Sequence, residues 1–303
     1  FVLDDGWFRG RVDDGRALGD WTPDPDKYPE GLTPLIDHVL GLGMEFGLWV
    51  EPEMVNPESE LYRQHPEWVL NCDPLPRDTG RHQLVLDLTQ AAVSNHLFNI
   101  LDSLLRGHPI AYLKWDMNRD LTTAGSDGRA AVHDQVRALY GLIDRLRSAH
   151  PAVEIETCAS GGGRIDVGIL GRTHRVWPSD CNDALERQKI QHGFGLFFPP
   201  EIMGSHVGPA HSHTTGRHLS MDFRSITAFG GHLGLELDLR RLSPPEHERL
   251  RALIAAHKAN RRLLHTGRYL RLDPVDPHRV GWGVVAADRR TAIFSLAQLD
   301  TPG

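Results

Sequence analysis

One rhythm constrains this chain more than anything else in it. A short apolar, β-rich run is followed by a loop rich in Gly or acidic residues, and then by a stretch with helical spacing. Val2-Leu3 runs into Asp4-Asp5-Gly6-Trp7. Residues 31–43 follow with Leu32, Leu35, Ile36, Val39 and Leu40 on one helical face and Gly43 placed to close it. Phe46 to Val50 runs into Glu51-Pro52-Glu53 ahead of a helix over 57–65. Leu84 to Leu88 precedes a helix over 90–106, and Ile110 to Trp115 precedes one over 129–149. Val153 to Thr157 and Arg175 to Trp177 are the fifth and sixth runs, the latter before a helix over 182–194. The seventh, Glu201-Ile202-Met203, is poor and precedes a helix over 217–229. His232 to Leu237 is the eighth, and Pro244 opens a helix reaching 264. Strands that alternate with helices imply parallel pairing. Eight such units predict an α/β fold of the (β/α)8 TIM barrel kind. The rival is an open doubly wound sheet, which takes a phosphate at a Gly-rich first turn. Asp4 and Asp5 would set two negative charges there, which disfavours it.

The rhythm stops near residue 266. Tyr269 to Leu272, Val280 to Val285 and Thr291 to Leu296 are short strand-like runs between turn residues. They read as the start of an antiparallel β domain over 267–303, after a barrel over 1–266. The first residue is Phe1, not Met, and the β domain is too short to close, so the chain is expected to be a piece of a longer protein. Composition then limits the partners. Lys and Arg number 33 against 40 Asp and Glu, a net charge of −7, whereas nucleic acid is bound by clustered positive charge. No window approaches the ~18 apolar residues of a membrane span, and no signal peptide is visible. Cys72, Cys158 and Cys181 are too scattered for a disulfide framework or a zinc site, so a reducing, cytoplasmic location is expected.

In a barrel the chemistry gathers at the C-terminal ends of the strands. Here those ends carry Asp4, Asp5, Trp7, Trp49, Glu51, Glu53, Asp87, Lys114, Trp115, Asp116, Asn118, Cys158, Trp177, Asp180 and Asp183. Carboxylates among Trp faces suit a sugar, and two acids across a sugar ring suit glycosidic chemistry if one is ionised and the other protonated. Lys114 and Asp116 are two apart on a strand and share a face, which makes Asp116 the candidate for the ionised nucleophile. Asp180 follows Val176-Trp177-Pro178 with no basic neighbour and is the candidate acid. Both also suit plain structural roles at a strand end or a helix N-cap, and Asp183 competes with Asp180 for the acid; the pattern does not choose. His206, His211 and His213 match no zinc spacing, the Gly161-Gly162-Gly163 run lacks a phosphate-loop ending, and no Gly-x-Ser-x-Gly elbow is present. Neither metal nor cofactor is expected.

Taken together, Asp4-Asp5-Gly6-Trp7, Gly19-Asp20-Trp21, Gly47-Leu48-Trp49-Val50-Glu51-Pro52-Glu53-Met54, Gln83-Leu84-Val85-Leu86-Asp87-Leu88, Leu113-Lys114-Trp115-Asp116-Met117-Asn118-Arg119, Cys158-Ala159-Ser160-Gly161-Gly162-Gly163-Arg164 and Trp177-Pro178-Ser179-Asp180 resemble glycoside hydrolase family 36, the α-galactosidases, in the order that family uses. The resemblance implies a catalytic barrel between an N-terminal β-sandwich, absent from this chain, and a C-terminal β domain of which only the beginning is present. It implies retaining, exo-acting hydrolysis of terminal α-1,6-linked galactose from melibiose, raffinose and related galactosides, so the partner is an oligosaccharide, with a homo-oligomer possible in the full-length protein. By motif, Asp116 is the nucleophile and Asp180 the general acid/base, and the two carboxyls of a retaining pair stand about 5–5.5 Å apart. The galactose contacts map to Asp4, Asp5, Trp49, Arg81, Lys114, Asn118, Cys158 and Gly161. Cys181-Asn182 stands where the family has Asn-Thr, and His82 where it has Asn. A galactosyl transferase of the raffinose-synthase kind, an α-N-acetylgalactosaminidase and a non-catalytic sugar-binding fragment are the alternatives.

Overall fold

The computed structural model describes residues 1–272, 276 and 278–300. The chain divides into two compact units, Phe1–His174 and Arg175–Gly303. The first is built on a parallel sheet. Strands β1 (Val2–Leu3), β2 (Phe46–Val50), β5 (Ile110–Trp115) and β8 (Glu154–Thr157) lie side by side in that order, with Leu3 beside Leu48, Leu48 beside Leu113, and Leu113 beside Ile155. All five residues of β2 are buried, the pattern of a strand covered on both faces. Helix α1 (Thr33–Gly41) has Pro34 in its first turn, where a missing N–H costs nothing, and Gly43 follows at φ +74°. Helix α3 (Ala91–Gly107) buries Val93, Leu97, Leu101 and Leu105, a single i, i+4 stripe. Helix α4 (Val132–Ala149) buries Leu139, Leu142, Ile143 and Leu146. Each such side chain contributes roughly 1.5–3 kcal/mol on leaving water, and together with the strands they form one continuous core. Short helices α2 (Glu60–Gln64) and α5 (Val167–Leu170) are capped by the Ser59 and Asp166 side chains.

The run 84–88 departs from expectation. Only Leu84–Val85 (β4) is regular, and it pairs antiparallel with Met54–Val55 (β3). The rest of the run is tied elsewhere: Leu86 N–H donates to Glu53 O at 2.9 Å and Asp87 N–H to Trp68 O at 2.7 Å. The buried Gln135 of α4 takes two more main-chain groups, accepting from Leu88 N–H and donating to Leu86 O, both at 2.9 Å. A side chain has replaced a neighbouring strand as the hydrogen-bonding partner. Gly125–Ser126 (β6) and Arg129–Ala130 (β7) form a small antiparallel hairpin before α4.

The second unit repeats the alternation. Val176, in β9 (Arg175–Val176), bridges Met203 in parallel, and β10 (Gly204–Val207) pairs in parallel with β11 (His232–Leu235). The seventh run is therefore displaced: residues 200–202 form a 3-10 turn headed by Pro200, and the strand begins three residues beyond the expected start, at Gly204. Helix α6 (Ala184–Phe194) is capped by Asp183, α7 (Met221–Ala228) by Ser220, and α8 (Pro244–Thr266) opens on a Ser243–Glu246 capping box. Strands β12 (Arg268–Leu272), β13 (Arg279–Val285) and β14 (Ala292–Gln298) make a three-stranded antiparallel sheet. Of the expected β domain over 267–303, residues 273–275, 277 and 301–303 lie outside the described residues. Among the described residues no helix is long and apolar enough to cross a membrane.

Candidate active site

In the first unit the sheet delivers the expected residues to the C-terminal ends of its strands. Asp4 and Asp5 follow β1, Trp49 and Glu51 close β2, Lys114, Asp116 and Asn118 close β5, and Cys158 and Gly161 follow β8. Asp116 is 6% exposed. Its N–H donates to Val50 O at 2.8 Å, carrying the β2–β5 ladder one residue past its end. Three neutral donors reach its carboxylate: Trp49 Nε1 at 3.1 Å and Asn118 Nδ2 at 2.7 Å on Oδ2, and Met117 N–H at 2.8 Å on Oδ1. That arrangement suits a fixed negative charge.

Several of the other acids are answered by cations, although Asp87 accepts from the neutral side chains of Thr89, Gln90 and Ser126. Lys114 Nζ lies 3.1 Å from Asp4 Oδ2. Burial works against the Lys114 ammonium, but the charge of Asp4 above all, with Cys158 and Glu156 also nearby, prevails and holds it above its ordinary value. Asp5 is gripped by Arg11, whose Nε lies 3.0 Å from Oδ1 and whose terminal nitrogen lies 2.8 Å from Oδ2. Glu53 Oε1 accepts from Arg164 at 2.5 Å and from Trp115 Nε1 at 2.8 Å. Glu51 is different. It is 1% exposed, accepts Asn118 N–H at 2.5 Å and Gln83 Nε2 at 3.2 Å, and burial and then the charge of Asp116 push it up to about 8, against Asn118 and Arg81. Arg81 is exposed and, like His82, sits at positive φ. After β8 the chain turns sharply: Gly161, at φ +89°, directs its N–H to Cys158 Sγ at 3.3 Å. Ser160 Oγ donates to Asn118 Oδ1 at 3.1 Å, tying that turn to the end of β5.

In the second unit Asp180 is exposed and accepts Trp177 Nε1 at 2.9 Å. Asp183 is 1% exposed and is fully engaged by structure. It caps α6 through Leu185 and Glu186 N–H, and its other oxygen accepts Thr215 Oγ1 at 2.5 Å and Arg217 at 2.6 Å. Burial alone would raise Asp183; Thr215, Arg217 and the two main-chain donors outweigh it and hold it below its ordinary value. Asp183 is thus the cap of α6, and Asp180 is an exposed residue bonded by the Trp177 indole. His206 packs on Trp177 with ring centres 4.3 Å apart and meets Glu236 at 3.0 Å, while Glu236 also accepts Asn182 Nδ2 at 2.7 Å. All three cysteines are thiols. Among the described residues no group of three His, Cys, Asp or Glu is arranged to hold a metal ion.

With that geometry in hand, comparison with known proteins is decisive. The Melibiase family model matches residues 1–267. The chain belongs to that family. It is 50% identical over 302 residues to an alpha-galactosidase of Escherichia coli, covering 100% of this chain and 43% of that protein. It is 41% identical to alpha-galactosidase AgaA of Geobacillus stearothermophilus, covering 99% and 43%. Crystal structures of AgaA variants superpose with TM-score 0.94: one, in complex with 1-deoxygalactonojirimycin, at 42% identity, and one, in complex with stachyose, at 41%, each over 97% of this chain and 42% of that one. The chain spans about two fifths of the length of the curated relatives it matches. The resemblance to glycoside hydrolase family 36 read from the sequence is therefore correct.

Some residues that shape this Melibiase-family site left no mark in the sequence. Arg11 lies in an aperiodic Gly- and Asp-rich stretch, and only the fold brings it back onto Asp5. Asn56 accepts from Leu18 N–H at 2.8 Å and Arg11 at 3.2 Å and donates to His82 O at 2.8 Å, pinning the β1 and β4 approaches together. Gln83 and Arg164 carried a signal of sorts, since both lie inside the family motifs.

Proposed function

We propose that this chain is the catalytic part of a retaining, exo-acting α-galactosidase that removes terminal α-1,6-linked galactose from melibiose, raffinose and related galactosides. On this reading residues 1–266 form a (β/α)8 barrel and 267–303 begin a C-terminal β domain. Asp116 attacks the anomeric carbon, and Asp180 protonates the glycosidic oxygen as it leaves. Water then resolves the galactosyl ester, with Asp180 taking its proton. Asp4 and Asp5 accept hydrogen bonds from the 4- and 6-hydroxyls and so select galactose over glucose, with Lys114 and Asn118 bonding further hydroxyls, Trp49 forming an apolar wall, Arg81 at the rim, and Cys158 and Gly161 against the 2-position. The location is cytoplasmic, in keeping with three thiols.

The observation that carries the reading is the setting of Asp116, a buried carboxylate at a strand end with three neutral donors on its two oxygens. Relatives add support: the E. coli protein and AgaA bear the name alpha-galactosidase, and AgaA variants are solved with raffinose and stachyose. The test is hydrolysis of melibiose followed by NMR of the first-released anomer. Release of α-galactose, abolished by Asp116→Asn, is the expected result. Release of β-galactose, or full turnover by the variant, refutes the assignment.

A further inference from the structure

We propose that Glu51 is a positioning residue for the Asp116 carboxylate, acting as a neutral acid that anchors the Asn118 main chain while the Asn118 side chain holds Asp116. The inference rests on Asp116 being the nucleophile. Glu51 lies one residue beyond β2 and is 1% exposed. Its Oε1 takes Asn118 N–H at 2.5 Å, and Asn118 Nδ2 in turn reaches Asp116 Oδ2 at 2.7 Å. The chain Glu51–Asn118–Asp116 therefore fixes both ends of Asn118, and a rigid Asn118 aims the nucleophile.

Two carboxyls this close cannot both ionise cheaply in a dry site. Asp116 has three donors and Glu51 has two, and Glu51 is the more deeply buried, so the proton belongs on Glu51. Its upward shift to about 8 agrees. The charged groups around it are few. Asp116 faces it from the end of β5, and Arg81 from the loop before β4. Arg119 is bound to the main chain of Gln83, and Glu53, on its own segment, is paired with Arg164. A neutral Glu51 has an O–H to donate, and Gln83 supplies the acceptor. Gln83 Oε1 is a buried oxygen with no donor, while its amide nitrogen sits 3.2 Å from Glu51 Oε2. Turning that amide over places the oxygen against the Glu51 O–H. The Glu51 proton then joins Gln83 to Asn118 in one network.

The test uses the intact protein. Infrared spectra in an Asp180→Asn background read protonated carboxyls at neutral pH without turnover. The expected result is a protonated-carboxyl band that is lost on adding Glu51→Gln and that titrates with a midpoint near about 8. A spectrum unaffected by Glu51→Gln overturns the proposal. If Glu51→Gln does not fold, titration of the Asp180→Asn protein decides: a band with that midpoint supports the proposal, and no band at neutral pH overturns it. Kinetics with p-nitrophenyl α-galactoside test the positioning role. Glu51→Ala is expected to lower kcat on the order of tenfold to hundredfold, and Glu51→Gln, which keeps the shape and the neutral state, to rescue most of that loss and to remove one ionisation from the alkaline limb. Equal losses in the two variants overturn the role of the neutral acid. If the wild-type protein turns over no α-galactoside, the functional reading fails, and the infrared result still decides the state of Glu51.

Discussion

Removing Glu53 is expected to be among the most damaging single changes in the first unit. Glu53 and Arg164 are 4% and 15% exposed at their side chains, and one oxygen, Oε1, serves both Arg164 at 2.5 Å and the Trp115 indole at 2.8 Å. Arg164 has few other partners, with Thr157 Oγ1 at 3.1 Å and Met117 Sδ at 3.5 Å, and one of its terminal nitrogens already has none. Glu53→Ala therefore leaves a buried guanidinium without a counter-charge, a loss of about 3–5 kcal/mol. It also orphans a buried indole N–H, which costs about 1–3 kcal/mol. The two losses share an atom and do not simply add, so the expected total is about 4–6 kcal/mol. Glu53→Gln keeps an acceptor oxygen and is expected to lose about half as much. The paired change Glu53→Leu with Arg164→Met removes both charges and is expected to recover most of the loss, because a buried ion pair barely outweighs its own desolvation. Urea unfolding of the intact protein, followed by circular dichroism, gives the four stabilities. A Glu53→Ala protein within about 1 kcal/mol of wild type, or a double variant as unstable as Glu53→Ala, refutes the reasoning.

Three further outcomes are expected. Gln135→Leu strips Leu88 N–H and Leu86 O of their partners, at about 1–3 kcal/mol each, and faster amide exchange at Leu88 would report it. Burial, and then Arg175, lower His232 from 6.5 to about 4. The folded state then binds fewer protons than the unfolded one within that window, so stability is lost as pH falls through it, by about 3 kcal/mol; His232→Gln flattens that slope in pH-dependent denaturation, and an unchanged slope counts against it. Arg11→Met frees Asp5 from its two-point grip and, if Asp5 binds galactose as proposed, raises KM for melibiose about tenfold, equal to ~1.4 kcal/mol, with a smaller change in kcat.

The strands that carry chemistry were legible because burial selects predominantly apolar runs, as in Phe46–Val50, buried throughout, and Ile110–Trp115, buried at Ile110, Leu113 and Trp115. The run 84–88 shows the limit of that signal. It is also largely apolar, but its main-chain partners include Glu53, Trp68 and the Gln135 side chain, and no local pattern reveals a partner that distant. The displaced seventh strand was readable. Pro199-Pro200 favours a tight turn headed by proline, and that turn moves the strand start to Gly204. Asp183 directly precedes α6 and caps it, and helix starts are uncertain from sequence by a few residues. One turn of uncertainty was enough to leave both open.

What the sequence displays least is how the acids are answered. It shows Asp4, Asp5, Glu51, Glu53 and Asp116 at neighbouring strand ends and points Lys114 toward Asp116, whereas the fold sets Lys114 Nζ 3.1 Å from Asp4 Oδ2. The fold assigns Lys114 to Asp4, Arg11 to Asp5 and Arg164 to Glu53, with two of those cations arriving from loops. Asp116 is held by neutral donors from Trp49, Asn118 and Met117, and Glu51 meets burial by keeping its proton. That division has a chemical logic. If Asp116 is the nucleophile as proposed, it has to stay charged to give a lone pair to an anomeric carbon, yet a tight ion pair would hold the electrons it needs to share. Neutral donors stabilise the charge while leaving it available. Carboxylates that only receive hydroxyl protons in hydrogen bonds have no such conflict, and an Arg or Lys behind them fixes their direction. Neutral donors alone do not mark a nucleophile, since Asp87 is held by Thr89, Gln90 and Ser126 and Glu51 by Asn118 and Gln83; what distinguishes Asp116 is that setting combined with its place directly beyond the end of β5.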